Sequence, residues 1–196
     1  HLFSGGSLLA TEDSIVSKEF WAFYQLKEPT ALYGTPFILE ILKKIRALKV
    51  ERSKLRVLCQ AGGRLSEDLQ QYFALKCDDL GANFFVMYGQ TEASPRISFI
   101  PPQSARTKLG SIGIPIPGGS LSIRKNDWEL IGDPHTIGEL VYEGPNVCLG
   151  YAECQQDLGE ADTNRGILRT GDLGYYDEDG YFYLVGRKDR FVKVAE

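Results

Sequence analysis

The chain has 196 residues and 43% hydrophobic content, enough for one large domain or two small ones around a real core. A net charge of −4 without any basic run disfavours nucleic acid as a partner, and no apolar run approaches membrane-spanning length. Cys59, Cys77, Cys148 and Cys154 show no C-x-x-C spacing and only His1 and His135 could join them, which argues against zinc and for a reducing, cytoplasmic setting.

In chain order, Ser7-Leu8-Leu9-Ala10 reads as a short strand after a Ser4-Gly5-Gly6 turn. Ile15, Val16, Phe20, Phe23 and Tyr24 follow at near-helical spacing, with Asp13 and Ser14 as candidate caps. Ala31-Leu32-Tyr33 is a second strand. Thr35 then reads as an N-cap and Pro36 as the first residue of a helix striped by Ile38, Ile41, Leu42, Ile45 and Leu48. Arg56 to Gln60 is a third strand, Ala61-Gly62-Gly63 a turn, and Ser66 caps a helix carrying Leu69, Tyr72, Phe73 and Leu80. Phe84-Phe85-Val86 is a fourth strand, short and buried. Strands alternating with helices predict an α/β fold with a parallel sheet, in which Tyr33-Gly34-Thr35, Ala61-Gly62-Gly63 and Tyr88 to Glu92 face a shared crevice.

The stretch Met87-Tyr88-Gly89-Gln90-Thr91-Glu92-Ala93-Ser94 stands at the carboxyl end of that fourth strand. A Thr hydroxyl there can donate to a phosphate oxygen, and a neighbouring Glu can hold the Mg²⁺ that travels with phosphates. From about Lys108 the texture changes: glycines and prolines crowd in, and Leu121-Ser122-Ile123, Glu139 to Tyr142 and Tyr181 to Leu184 read as antiparallel strands of a small barrel-like subdomain. The boundary is placed near 100–108, at Pro101-Pro102 and Lys108. Arg169-Thr170-Gly171-Asp172-Leu173-Gly174 sets one acid in a glycine turn, where its carboxylate could accept hydrogen bonds from a vicinal diol. Gly186-Arg187-Lys188-Asp189 is a charged turn whose guanidinium could pair with the same sugar or with phosphate.

Four ordered motifs, Y-G-Q-T-E, G-E-L-x-x-x-G-P-x-x-x-x-G-Y, R-T-G-D and D-x-D-G-Y-x-x-x-x-G-R-x-D-x-x-x-K, together resemble the acyl-adenylate-forming superfamily of acyl-CoA synthetases, adenylation domains and luciferases. The resemblance runs from end to end of the chain. It implies part of a large N-terminal domain: a βα portion over 1–107, an antiparallel subdomain over 108–189 and a hinge over 190–196. It implies activation of a small carboxylic acid by MgATP to an acyl-adenylate and pyrophosphate, followed by transfer to a thiol of CoA or of the phosphopantetheine on an acyl- or peptidyl-carrier protein. Carried over residue by residue, Tyr88 packs near adenine and Gly62-Gly63 line its slot, with Gly89 part of the same nucleotide site. Thr91 touches the α-phosphate, Glu92 binds Mg²⁺, Asp172 holds the ribose hydroxyls with help from Arg187, and Lys193 is the hinge. Tyr33, Cys59, Ala61, Met87, Pro95 and Arg96 surround the acyl group, and Arg96 either meets a second acidic group on the substrate or pairs at the surface.

The family's S-G-T-T-G-x-P-K phosphate loop is absent; Ser4-Gly5-Gly6-Ser7 lacks the Pro-Lys and sits elsewhere in order. With no counterpart of the C-terminal domain lysine either, the segment by itself is expected to be inactive and to be a piece of something longer. A bared sheet edge predicts self-association or a companion chain. Simpler roles compete for each residue: Thr91-Glu92 as a cap, Tyr88 as core, Asp172 as a turn acid bonded to its own backbone, Arg187 as the partner of Asp189 or Glu196. Two other functions compete as well, a non-catalytic AMP/ATP-binding module and a β-rich interaction or carbohydrate-binding module.

Overall fold

The structure is a computed structural model that describes residues 3–48, 54–159 and 161–190. Two compact units divide between Phe85 and Val86.

The first unit is built of βα segments. Helix α1 (Lys18–Lys27) starts where the Ser17 hydroxyl accepts from the Phe20 N–H (3.1 Å), and ends at Glu28 in the left-handed region. The cap is therefore Ser17 rather than Asp13 or Ser14, because Asp13 is engaged with the Thr11 hydroxyl (2.8 Å). The expected strand at Ser7 to Ala10 does not form: the segment pairs with no strand among the described residues, and Leu8 and Leu9 stay exposed. Strand β1 (Ala31–Gly34) leads into helix α2 (Pro36–Lys44), capped by the Thr35 hydroxyl with Pro36 in its first turn, as the sequence predicts. Leu39 and Leu42 are its buried residues. Strand β2 (Val57–Gln60) runs parallel to β1, Ala31 opposite Val57, and Ala61 N–H donates to Gly34 O (3.1 Å). The loops after β1 and β2 are thus joined.

Helix α3 (Glu67–Leu80) opens on the Ser66 cap with Glu67 and Asp68 in its first turn and closes on Gly81. Its buried face holds Leu69, Phe73, Ala74 and Cys77, and Phe73 tilts against Phe84 with ring centroids 6.1 Å apart. Burial pushes the Cys77 thiol up to about 12, so it packs as a small apolar group.

Strand β3 (Asn83–Gly89) passes from this unit into the second and is longer than the three-residue run expected. From Val86 onward the second unit is an antiparallel sheet of β3, β4 (Arg96–Ile100), β5 (Ser111–Pro115), β9 (Phe182–Arg187), β8 (Ile167–Tyr176), β7 (Gly138–Glu143) and β6 (Ser120–Arg124), in that spatial order. Ile97 of β4 and Tyr142 of β7 stand four strand positions apart, yet share one buried cluster with Ala93, Val147 and Leu168. The sheet must therefore curl on itself, the barrel-like form expected from the sequence. A second cluster of Ile112, Ile123, Ile131, Leu140 and Phe182 fills the rest of the interior.

Two charged knots close the outer surface of this unit. Glu139, 5% exposed, receives Arg169 through Nε (3.1 Å) and Nη2, and Lys188 Nζ at 2.9 Å. Asp177 receives Lys108 Nζ (2.8 Å), the Tyr181 N–H (2.9 Å) and the Tyr183 hydroxyl (3.1 Å). Burial opposes ionisation of both acids, but these donors outweigh it and hold both carboxyls below their usual range. Folded values below unfolded ones mean stability that is complete above the ordinary carboxylate pKa of about 4 and lost as pH falls from there through the lower folded value. The urea midpoint is expected to drop between pH 5 and pH 3, about where such acids titrate, and Glu139→Gln should flatten that drop; equal slopes in the two proteins would remove Glu139 from the account.

Candidate functional site

The site is assembled in the second unit from three distant stretches. Strand β3 delivers Tyr88, and its register against β4 shifts between Tyr88 and Gly89. A Cβ on Gly89 would lie 1.6 Å from the Pro95 carbonyl oxygen, so the chain passes here only as glycine. Gln90 is extended and leads into one 3₁₀ turn, Thr91–Ala93, whose Ala93 N–H donates to Gln90 O (3.0 Å). The turn presents Thr91 to solvent, leaves Glu92 half-buried and anchors on fully buried Ala93.

Asp172 reaches the same place from β8. It lies within a continuous ten-residue strand, not in the glycine turn the sequence suggested, and Asp172 is the register partner of Arg187 on β9. The glycine signal survives as an irregularity inside the strand: Gly171 has φ +70°, the register against β7 shifts between Glu139 and Val141, and Asp172 pairs with Arg187 on the β9 side. Tyr88, 84 positions away, donates its hydroxyl to Asp172 Oδ2 at 2.5 Å. Burial first, then the Asp172 hydrogen bond and charge, raise the phenol well above its ordinary range, so it remains a donor at alkaline pH. Tyr88 also packs its ring against both core clusters, so the core role and the polar role coexist. Arg187 Nε stands 3.6 Å from Asp172 Oδ1 and 3.7 Å from Asp189 Oδ1, one of the two partners the sequence offered; the other, Glu196, lies outside the described residues.

Glu92 is held from the other side. The Tyr151 hydroxyl donates to its Oε1 at 2.7 Å. That bond, a backbone N–H and the Arg187 charge keep the carboxyl below its usual range against the effect of burial. Cys148 N–H donates to the Glu92 carbonyl (2.8 Å), while the Asn146 amide reaches the carbonyls of Ala93 and of Arg96 (2.8 Å) and accepts from Tyr142 (2.7 Å). The Gly144 to Gly150 stretch thus braces the turn that carries Thr91 and Glu92.

The remaining predicted residues are distributed differently. Gly62 and Gly63 are exposed in the loop after β2, where Gln60 donates to Gly63 O at 2.8 Å from a fully buried side chain. Tyr33 is exposed, Cys59 buried and Ala61 half-buried in the first unit, whereas Met87, Pro95 and Arg96 belong to the second. Lys193 lies outside the described residues. Sequence reasoning passed over Gln60, Gln90, Asn146 and Tyr151, although Gln90 and Tyr151 sit inside quoted motifs. Their signal was a polar side chain next to a motif residue, which acquires meaning only when its acceptor is known.

Chemically, the cluster offers a carboxylate with a guanidinium beside it, an exposed hydroxyl and a second carboxylate kept ionised. The first pair suits a vicinal diol. Among the described residues no group of three or more His, Cys, Asp or Glu gathers for a metal. Glu92 alone fits a magnesium ion, which keeps several waters and is held by one or two carboxylates plus phosphate oxygens. No described helix is long and apolar enough to cross a membrane.

A family model described as AMP-binding enzyme matches residues 1–152. The 2-succinylbenzoate–CoA ligase of Geobacillus kaustophilus is 36% identical over 116 residues, 59% of this chain and 23% of that protein. The ligase of the same name from Bacillus cereus is 32% identical over 162 residues, 79% of this chain and 32% of that protein. The solved O-succinylbenzoate coenzyme A synthetase of Bacillus subtilis, in complex with AMP, superposes with a TM-score of 0.72 at 26% identity, covering 89% of this chain and 34% of that one. The same synthetase in complex with ATP and magnesium ion, 24% identical, matches in fold with the same TM-score. The chain spans a quarter to a third of the length of these curated relatives.

Proposed function

Since the chain belongs to the AMP-binding enzyme family, we propose that it forms part of the nucleotide-binding core of an AMP-forming acid–thiol ligase. The observation that supports this most is the meeting of Tyr88, Asp172 and Arg187, with Thr91 and Glu92 on the adjoining turn. In this reading Asp172 and Arg187 hold the ribose, Tyr88 lies against adenine, Thr91 donates to the α-phosphate and Glu92 holds Mg²⁺. The ion supplies neutralisation of phosphate charge when bound. Gly62, Gly63 and Gly89 are proposed for the nucleotide, Tyr33, Cys59, Ala61, Met87, Pro95 and Arg96 for the acid, and Lys193 for the hinge. The divisions 1–107, 108–189 and 190–196 are proposed as the functional subdomains.

The names of the relatives favour 2-succinylbenzoate as the acid and CoA as the acceptor. A second acidic group on that acid agrees with an Arg96 role. A carrier-protein acceptor remains a proposal, as does self-association, which the exposed Leu8, Leu9, Leu26 and Phe37 support.

Calorimetric titration of the chain with AMP should give saturable binding. ATP–pyrophosphate exchange, measured on the intact protein that carries this sequence, should be stimulated by one acid of a panel that includes 2-succinylbenzoate. Retained AMP binding with silence across the panel would favour a non-catalytic nucleotide-binding module. Failure to bind AMP would favour the β-rich interaction reading.

A further inference from the structure

Gln90 has no assigned part in the ribose site, yet its side-chain amide makes three polar contacts there. Its Nε2 donates to the Thr170 carbonyl at 2.9 Å and to Asp172 Oδ2 at 3.1 Å, and lies 3.4 Å from the Tyr88 hydroxyl. Two amide hydrogens thus meet two acceptors. The opposite amide orientation would set Oε1 against a carbonyl and a carboxylate, acceptor against acceptor, so the donor orientation is fixed by its surroundings. Thr170 is itself secured: its hydroxyl donates to Leu140 O (2.8 Å) on β7 and accepts from Asp172 N–H (3.1 Å).

The consequence lies in the two oxygens of Asp172. Oδ2 accepts from both Tyr88 and Gln90 and so has both of its lone pairs filled. Among the described residues, Oδ1 faces Arg187 Nε, at 3.6 Å. We propose that Gln90 is a positioning residue of the ribose site: it fixes the Asp172 carboxylate so that Oδ1, beside Arg187, is the oxygen presented to the ligand's hydroxyls. Gln90 is also the residue immediately before the turn that carries Thr91 and Glu92. Its side chain therefore ties that turn to the acid that reads the sugar. This rests on the nucleotide-binding reading above.

The test compares AMP with 2′,3′-dideoxy-AMP, which lacks the hydroxyls concerned, on the 196-residue chain and on its Gln90→Leu and Gln90→Glu variants. Leu keeps the bulk and removes the donor. Glu is close in shape and places a second carboxylate against Asp172, so it serves where Leu disturbs folding. The parent chain should prefer AMP by about thirtyfold, and the variants should lose about tenfold of that preference with dideoxy-AMP binding nearly unchanged, the scale of one or two charge-assisted hydrogen bonds. A merely structural role would weaken both ligands equally and leave their ratio intact, which would overturn the proposal while the nucleotide reading stands. A parent chain that binds neither ligand overturns both.

Discussion

Replacing Asp172 with Asn is expected to weaken AMP binding by about a hundredfold, near 3 kcal/mol, the cost of losing a charged acceptor for two or more hydrogen bonds. Asn preserves the shape and can still accept from the Tyr88 hydroxyl. It adds an N–H₂ donor, however, where Gln90 and Arg187 already present donors. The Asp172 carboxylate is the one acceptor on which Tyr88, Gln90 and Arg187 converge, so its charge orders all three. Calorimetric titration gives the affinity, and a thermal unfolding curve of the same variant separates ligand loss from unfolding. An Asn variant that binds AMP as the parent does would remove Asp172 from the nucleotide site.

Gly89→Ala should be the most damaging single methyl in the site. The added Cβ would fall 1.6 Å from the Pro95 carbonyl oxygen and 3.1 Å from the Arg96 Cα, both backbone atoms that no rotamer change can move aside. Relief requires opening the β3–β4 bulge, which carries the turn with Thr91 and Glu92 and rests on the Asn146 bonds to Ala93 and Arg96. A cost of about 3–4 kcal/mol is expected, a fall of about 6–15 °C in the unfolding midpoint for a chain of this size. Gly81→Ala is a control, because its added Cβ meets nothing within 4 Å and only its left-handed backbone is strained, about 1 kcal/mol. Gly89 is not itself left-handed, so a loss no larger than that of Gly81→Ala would show that the close approach to Pro95 is relieved at little cost.

The elements that the sequence identified correctly are those coded by neighbouring residues. Thr35-Pro36 and Ser66 announce their helices because a cap bonds to a backbone N–H three residues on, within reach of any local reading. Strands β6, β7 and β9 were legible as short apolar or alternating runs, and each sends a residue into one core cluster: Ile123, Leu140 and Phe182. Strand β4 was not: Arg96-Ile97-Ser98-Phe99-Ile100, flanked by prolines, resembles a linker. Its central Ser98 is fully buried and donates to Ile112 O at 2.6 Å, a polar residue in a core position that only a neighbouring strand explains. Asp172 was read from motif order as the candidate sugar acid and set in a glycine turn; the bend persists at Gly171, while pairing with Arg187 places the acid within β8.

By itself, then, the sequence determined the family, the βα order of the first unit and the identities of the acid, hydroxyl and guanidinium groups. Their spacing along the chain is a covalent property and survives without a fold. Only the tertiary structure decided that Tyr88 and Gln90 spend their donors on Oδ2 of Asp172, that Arg187 stands between two acids, and that Tyr151 holds Glu92. Apart from the local approach of Arg187 to Asp189, each of those contacts joins residues from separate strands or loops, and a hydrogen bond depends on a few tenths of an ångström and on direction. Such precision is set by how the strands pair and curl, not by any local propensity.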